Sequence, residues 1–297
     1  MNGILALESN GMTTHANATL KTILESQRLR DYPDWAPDDY FEIFAAQQVL
    51  KKAKFNSDPD EIEGGLIGGD GDGGVDGFYL FCNRKLILED TDIKVFSDQR
   101  LTIELVIVQA KHKGSFEESV PVKFHDFVDH CLAPERATAS AKTLYSEALL
   151  EKVTQFRQLY ELALPMSPTL SVDFYHAALS DTVDKKVMTR GELVTARFKK
   201  YFPAASSKCS YCPVIGSELI TLHAKRPESK LTLKTPKFFD LNTFGGDAFT
   251  CVVTIGDFYN FITEDDEIRE WLFEANVRDH AVDAKFNKGI SETLHNP

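Results

Sequence analysis

Three side chains in the first half of the chain have the types and spacing to hold a cation and act on a phosphate. They are Asp76 in GGVDGFYLF, and Gln109 and Lys111 in LTIELVIVQAKH. The second segment, residues 101–112, is apolar and β-branched and reads as a central strand. Side chains alternate along a strand, so Leu105, Ile107, Gln109 and Lys111 share one face, and Glu104, Val106, Val108 and Ala110 share the other. A lysine ending a buried strand needs an acid or an open cleft. Asp76 offers the acid, beside glycines that let backbone and ligand approach closely. Its carboxylate could coordinate a hard divalent cation, with the Gln109 side-chain oxygen and the Ala110 carbonyl as further oxygen ligands. Lys111 would then orient a nucleophilic water or neutralise charge growing on a phosphate. Glu42, on an earlier helix, could reach the same metal directly or through water. The plain alternatives are a structural polar cluster at a sheet end and, for Glu42, an exposed helical glutamate.

The elements that would position these residues can be read from periodicity. DYPDWAPDDY, residues 31–40, supplies Asp38 as an N-cap, and YFEIFAAQQVLKKAK places Phe41, Phe44, Ala45, Gln48 and Val49 near one helical face. VDGFYLF, then Asn83-Arg84, then KLILE, predicts a hairpin ahead of the 101–112 strand. Helices follow around 119–132 and 140–164, the second with a stripe of Leu144, Ala148, Val153, Phe156, Leu159 and Tyr160. SVDFYHAAL, 171–179, is another strand, and 183–201 another helix. Strands in CPVIGSELITLHA and AFTCVVTI and helices in GDFYNFI and EIREWLFEANVR complete an α/β or α+β chain with a mixed sheet.

Other motifs are weaker. GGDGDGGVDG lacks the Gly-Lys-Ser/Thr ending of a P-loop and the spaced glutamate of an EF-hand, so Asp70 and Asp72 read as turn residues or auxiliary metal ligands. Cys209 and Cys212 form half of a zinc site, with His223 downstream; two unpaired thiols are the default reading. Cys82 and Cys251 sit in strand-like runs as small core hydrophobes. His112 and Lys113 extend the central strand towards a phosphate or simply into solvent. Lys185, Lys186, Arg190, Arg197, Lys199 and Lys200 make one helix basic, as a nucleic-acid surface or as a solvated face.

Composition bounds these readings. The 297 residues are 43% hydrophobic and 26% charged, enough for one large domain or two modest ones. No apolar run is long enough to cross a bilayer and no secretory signal is evident, so the expectation is a cytoplasmic protein with no membrane partner. Five scattered cysteines are no disulfide framework. The net charge of −12 argues against a generic nucleic-acid coat, though not against a local grip through metal ions and one basic face.

GGVDGFYLF followed by ELVIVQAKH resembles the Asp…(Glu/Gln)-x-Lys signature of PD-(D/E)XK nucleases, in the variety seen in Mrr-like restriction endonucleases. FEIFAAQQVL resembles their first helix, which often carries a glutamate where Glu42 stands. Gln109 stands where many members have Glu or Asp, and a neutral amide gives less charge to a metal. Across most of the chain, DDYFEIFAAQQVL, GGDGDGGVDGFYLF, IELVIVQAKHKGSFEES and WLFEANVRDH…FNKGISETL resemble AIPR proteins, a family named for abortive infection and phage resistance. The Asn276–Arg278 phrase and FNKGISETL are similar to the opening of the AIPR domain.

The resemblance implies an α/β fold: a PD-(D/E)XK nuclease-like core with a mixed central β-sheet flanked by helices, followed by additional α/β elements. It divides the chain into an N-terminal arm (1–37), the core (38–180), an α/β extension (181–262) and a helical opening of an AIPR domain (263–297). It implies Mg2+- or Mn2+-dependent phosphodiester hydrolysis in DNA, or RNA, in anti-phage defence. Asp76, Gln109, Lys111 and Glu42 would be catalytic, and Asp76, Gln109, Ala110 and Glu42 the metal ligands. A homodimer and a further C-terminal domain are the other expected partners, the chain reading as an N-terminal piece of a longer protein or as a short family member. Two rival roles stay open: a nuclease fold that binds nucleic acid or a partner without cutting, and an oligomerisation scaffold.

Overall fold

The structure is a computed structural model that describes residues 4–55, 57–68, 73–89, 91–96, 100–133, 141–225, 233, 235, 237–240, 249–264 and 267–268. Two compact units separate at residues 224 and 225.

The first unit is built on helices α1 (Ile4–Asp31), α2 (Pro37–Lys52) and α3 (Pro59–Gly64), then strands β1 (Gly77–Cys82), β2 (Lys85–Leu86) and β3 (Thr102–Lys111). Helices α4 (Ser119–Phe127), α5 (Ala141–Leu144) and α6 (Glu147–Ala163) lead to β4 (Thr169–Ala178), α7 (Lys185–Tyr201), β5 (Ser207–Val214) and α8 (Gly216–Ala224). The sheet is mixed, in the order β2-β1-β3-β4-β5. β1 lies antiparallel to both β2 and β3, and β3, β4 and β5 run parallel. The chain is therefore α/β, with a mixed five-stranded sheet flanked by helices.

Burial on both faces explains the near-continuous apolar run of β3. One face carries Phe78, Leu80, Leu105, Ile107, Val172 and Phe174 against α4, α6 and α7. The other carries Tyr79, Phe81, Val106, Val108, Tyr175 and Ala177 against α1, α2 and α8. The alternation read from the sequence thus has a packed layer on each side. The hairpin turn also matches: Asn83 and Arg84 both have positive φ, 50° and 72°, as a two-residue turn between twisted strands requires.

Several expectations are corrected. The cap of α2 is Ala36, not Asp38, because Pro37 takes the first helical position, where its fixed φ and missing N–H cost nothing. The 1–37 arm contains a 28-residue helix, which packs on α2 and α8 with Leu20 and Leu24 buried. The 140–164 helix is two helices: Ser146 leaves helical geometry and caps α6 through Leu149 N–H, so Leu144 is exposed and Leu149 is buried in its stead. The strand placed in CPVIGSELITLHA begins earlier, at Ser207, and GSELITLHA is helical, burying Leu219 and Leu222 one turn apart. The helix around 119–132 ends in a π turn, Val128–Leu132.

In the second unit, β6 (Lys237–Asp240) pairs with β7 (Phe249–Val252), and α9 (Ile255–Ile262) is followed by the short pair β8 (Thr263–Glu264) and β9 (Glu267–Ile268). Cys251 is exposed, not a core residue. Glu267 and Ile268 are extended where a helix was expected; the rest of EIREWLFEANVR and all of FNKGISETL lie outside the described residues. Among the described residues no helix is long and apolar enough to cross a membrane.

Candidate functional site

Asp76 is held at the mouth of β1 by its own backbone. Its N–H donates to the Val108 carbonyl at 2.8 Å and its carbonyl accepts from Ile67 N–H at 2.8 Å. That places it opposite Gln109, one step beyond the Gly77–Val108 pair. Its carboxylate turns into the sheet end: Gln109 Nε2 donates to Oδ1 at 2.7 Å and to Oδ2 at 2.8 Å, and Ala110 N–H donates to Oδ2 at 2.7 Å. Asp76 is 2% exposed and Gln109 0%. A buried carboxylate requires such donors.

The glycines before Asp76 make this approach feasible. Gly73 and Gly74 have φ of 59° and 83°, a left-handed backbone that favours glycine. A Cβ at Gly74 would fall 2.5 Å from Lys123 Cδ and 2.7 Å from Gln109 Oε1. That oxygen is buried and has no hydrogen-bond partner among the described residues.

Lys111 leaves β3 two residues beyond Gln109 on the same face, half-buried and in no ion pair among the described residues. The three side chains singled out by spacing therefore share one end of the sheet. Ala110 N–H faces Asp76, and since a strand residue's N–H and C=O point the same way, its carbonyl also faces the β1 side.

Glu42 lies on α2, which packs on the face of the sheet that carries Val106, Val108 and Ala110. The start of α2 reaches the end of β3, where Asp38 Oδ1 lies 3.0 Å from His112 Nδ1 and the Phe41 ring 5.4 Å from the His112 ring. Glu42 follows one turn later.

His176 is a neighbour that sequence reasoning missed. It pairs in register with Gln109 on β4, is 0% exposed, and sets Nδ1 2.9 Å from the Tyr211 hydroxyl, with the Phe116 ring edge-on at 4.8 Å. Its Nε2 is buried without a hydrogen-bond partner among the described residues. Burial, aided by the Lys111 charge, pushes its pKa down to about 3, so the imidazole is neutral. The alternation in SVDFYHAAL assigns His176 a face; only the β3–β4 register sets it beside Gln109.

The basic residues are largely tied to acids. Lys113 Nζ lies 2.5 Å from Glu117; Arg190 and Lys186 reach Glu118 at 3.1 and 3.8 Å. Arg197 pairs bidentately with Asp129, which also accepts from the Tyr201 hydroxyl at 2.8 Å. Lys185, Lys199 and Lys200 are exposed and form no ion pair among the described residues. Cys209 packs towards Val172 and Phe174, and Cys212 towards Tyr175 and Ala177, so the two thiols lie on opposite faces of β5 and do not chelate one zinc ion. His223 instead contacts Gln27 Nε2 at 3.3 Å. Asp70 and Asp72 lie outside the described residues.

Among the described residues no three His, Cys, Asp or Glu side chains group as metal ligands. Among the described residues, the oxygens at the sheet end include those of Asp76, the Ala110 carbonyl and the orphaned Gln109 Oε1. This all-oxygen donor set fits a hard cation such as Mg2+ or Mn2+ once the amide presents its oxygen. Against protein families, curated proteins and solved structures alike, the chain returns no match.

Proposed function

We propose that the chain is a metal-dependent nuclease of the PD-(D/E)XK kind, in an AIPR-type protein that acts in phage defence and cleaves DNA. The observation that carries this reading is the meeting of Asp76 and Gln109 within 2.8 Å at the end of β1 and β3, with Lys111 on the same face. Asp76, Gln109 Oε1 and the Ala110 carbonyl would hold the ion. When bound, Mg2+ supplies Lewis acidity towards a phosphoryl oxygen and lowers the pKa of water. Asp76 anchors the ligand set, since its backbone is fixed on both sides by Val108 and Ile67. Lys111 places a cation beside the scissile phosphate, where charge grows in the transition state. Neutral His176 keeps a second positive charge away from that position.

The test is cleavage of single- and double-stranded DNA and RNA with Mg2+, Mn2+ or EDTA, using Asp76→Ala and Lys111→Ala. Metal-dependent cleavage lost in both variants, with circular dichroism unchanged, supports the reading; unchanged cleavage in both removes the site from the mechanism.

A second reading has its own observation. The Gln109 amide donates to both Asp76 oxygens, closing the carboxylate where an acid at position 109 would leave it open to a cation. On this reading the site is a structural lock, and the fold binds nucleic acid or a partner without cutting. Calorimetric titration with Mg2+ or Mn2+ separates the two: heat abolished by Asp76→Ala favours the nuclease, and no heat favours the lock.

A further inference from the structure

Lys123 was not singled out by any motif, yet the fold sets it against the candidate site. It lies on α4, between buried Val120 and buried Phe124 and Phe127, and is itself exposed. Its aliphatic stem runs across the backbone of Gly74. A Cβ there would meet Lys123 Cδ at 2.5 Å, Lys123 Cβ at 2.8 Å and Gln109 Oε1 at 2.7 Å. The stem and the orphaned amide oxygen therefore converge on one glycine, two residues before Asp76. Long cationic side chains bury the stem and leave the ammonium in water.

Charge decides what that ammonium is for. With a net charge of −12, the chain offers a polyanion no general attraction, so any grip on a phosphate backbone must come from a few local cations. Three of the cations near this end are already paired, Lys113 with Glu117 and Lys186 and Arg190 with Glu118, while Lys185 at the start of α7 is exposed and in no ion pair among the described residues. Lys111 and Lys123 form no ion pair among the described residues, one leaving the sheet and the other on the helix that covers the same face.

We propose that Lys123 is a second phosphate-binding cation of this site, contacting the backbone of a nucleic-acid substrate on the α4 side while Lys111 serves the scissile phosphate. The assignment rests on the nuclease reading for its substrate class. It differs from Lys111 in consequence: Lys123 acts on binding, so its loss raises KM and leaves kcat nearly unchanged, whereas loss of Lys111 lowers kcat.

The experiment measures binding of a fluorescent 20-nucleotide DNA, single- and double-stranded, to the full chain in EDTA across a salt series, and cleavage separately in Mg2+. Lys123→Ala is expected to weaken binding severalfold whatever the sequence and to lower the slope of log affinity against log salt by about 1. Lys123→Arg should restore both, and Lys85→Ala, in the hairpin at the far end of β1, should match wild type. Affinity and slope unchanged in Lys123→Ala, or no binding by wild type, overturns the assignment. Metal-dependent cleavage lost in Asp76→Ala alongside normal binding by Lys123→Ala leaves the nuclease reading standing and removes only Lys123. Binding that depends on Lys123 with no cleavage under any metal keeps the contact and removes the catalytic reading.

Discussion

Gln109 Nε2 lies 2.7 and 2.8 Å from the two oxygens of the Asp76 carboxylate, and the other end of the same amide, Oε1, is buried without a hydrogen-bond partner among the described residues. One amide thus satisfies an acid at the cost of an orphaned acceptor. An unsatisfied buried polar group costs about 1–3 kcal/mol. Rotation of the amide would exchange the two ends, bringing oxygen to the acid, and a cation between them or a proton on the acid would make that favourable.

This predicts how Gln109→Glu behaves. Two carboxylates would meet where an amide now bridges, and like charges this close do not both ionise without a counter-ion. In EDTA the variant should be less stable than wild type by about 1–3 kcal/mol, a fall in Tm of roughly 2–12 °C for a unit of this size. Mg2+ should recover most of the loss and should bind more tightly than to wild type. A variant whose Tm is indifferent to Mg2+ would mean that no cation enters between positions 76 and 109.

Gly74→Ala tests the glycine that lets these groups converge. Its φ of 83° is strained for any side chain, and the new methyl would press on Lys123 and on Gln109 Oε1. The expected cost is about 1–3 kcal/mol. Metal affinity and cleavage should fall by more than stability alone explains, read by calorimetry below the unfolding transition. Wild-type metal affinity in a folded Gly74→Ala protein would show that the Gly74 approach does not shape the site.

How far these features were legible in the sequence follows from their range. Asp76, Gln109 and Lys111 were accessible because strand alternation is local and the glycines flag a turn. The sharing of one face by Gln109 and Lys111 needed only a period of two. His176 and Lys123 were not accessible, because each meets the site through a long-range relationship: the β3–β4 register for one, the seating of α4 over Gly74 for the other. The basic character of α7 was legible, but the pairing of Lys186, Arg190 and Arg197 with Glu118 and Asp129 depends on how α7 packs against α4 and the π turn after it. Periodicity also ran through Tyr145-Ser146, since a capped break beside a buried tyrosine leaves the apolar pattern unbroken.

Asp129 gives a pH dependence. The Arg197 guanidinium, with the Tyr201 hydroxyl, holds its carboxyl down to about 2, below the ordinary 3.8. A group with a depressed folded pKa stabilises fully above its unfolded value and loses that contribution as pH falls towards the folded value. Asp129→Asn should therefore cost about 2 kcal/mol at pH 7. The difference from wild type should shrink between roughly pH 5 and pH 2, with urea unfolding across that range as the measurement. A difference independent of pH would assign the cost to lost packing and not to the ion pair.

Gly191 runs against an ordinary rule for glycine inside a helix. It lies inside α7, where alanine would normally stabilise by up to about 1 kcal/mol. Here a Cβ would meet the Tyr211 ring at 2.1 Å, and Tyr211 holds the Nδ1 side of His176. The ring has little room to yield, because Phe124 lies edge-on to it at 6.4 Å and β5 fixes its backbone. Gly191→Ala should therefore destabilise by about 1–3 kcal/mol. Gly191→Ala combined with Tyr211→Leu should cost less than the sum of the single changes, because a smaller side chain relieves the clash. A stabilised Gly191→Ala protein would mean that α7 does not press on β5 at this point, and that His176 is held without it.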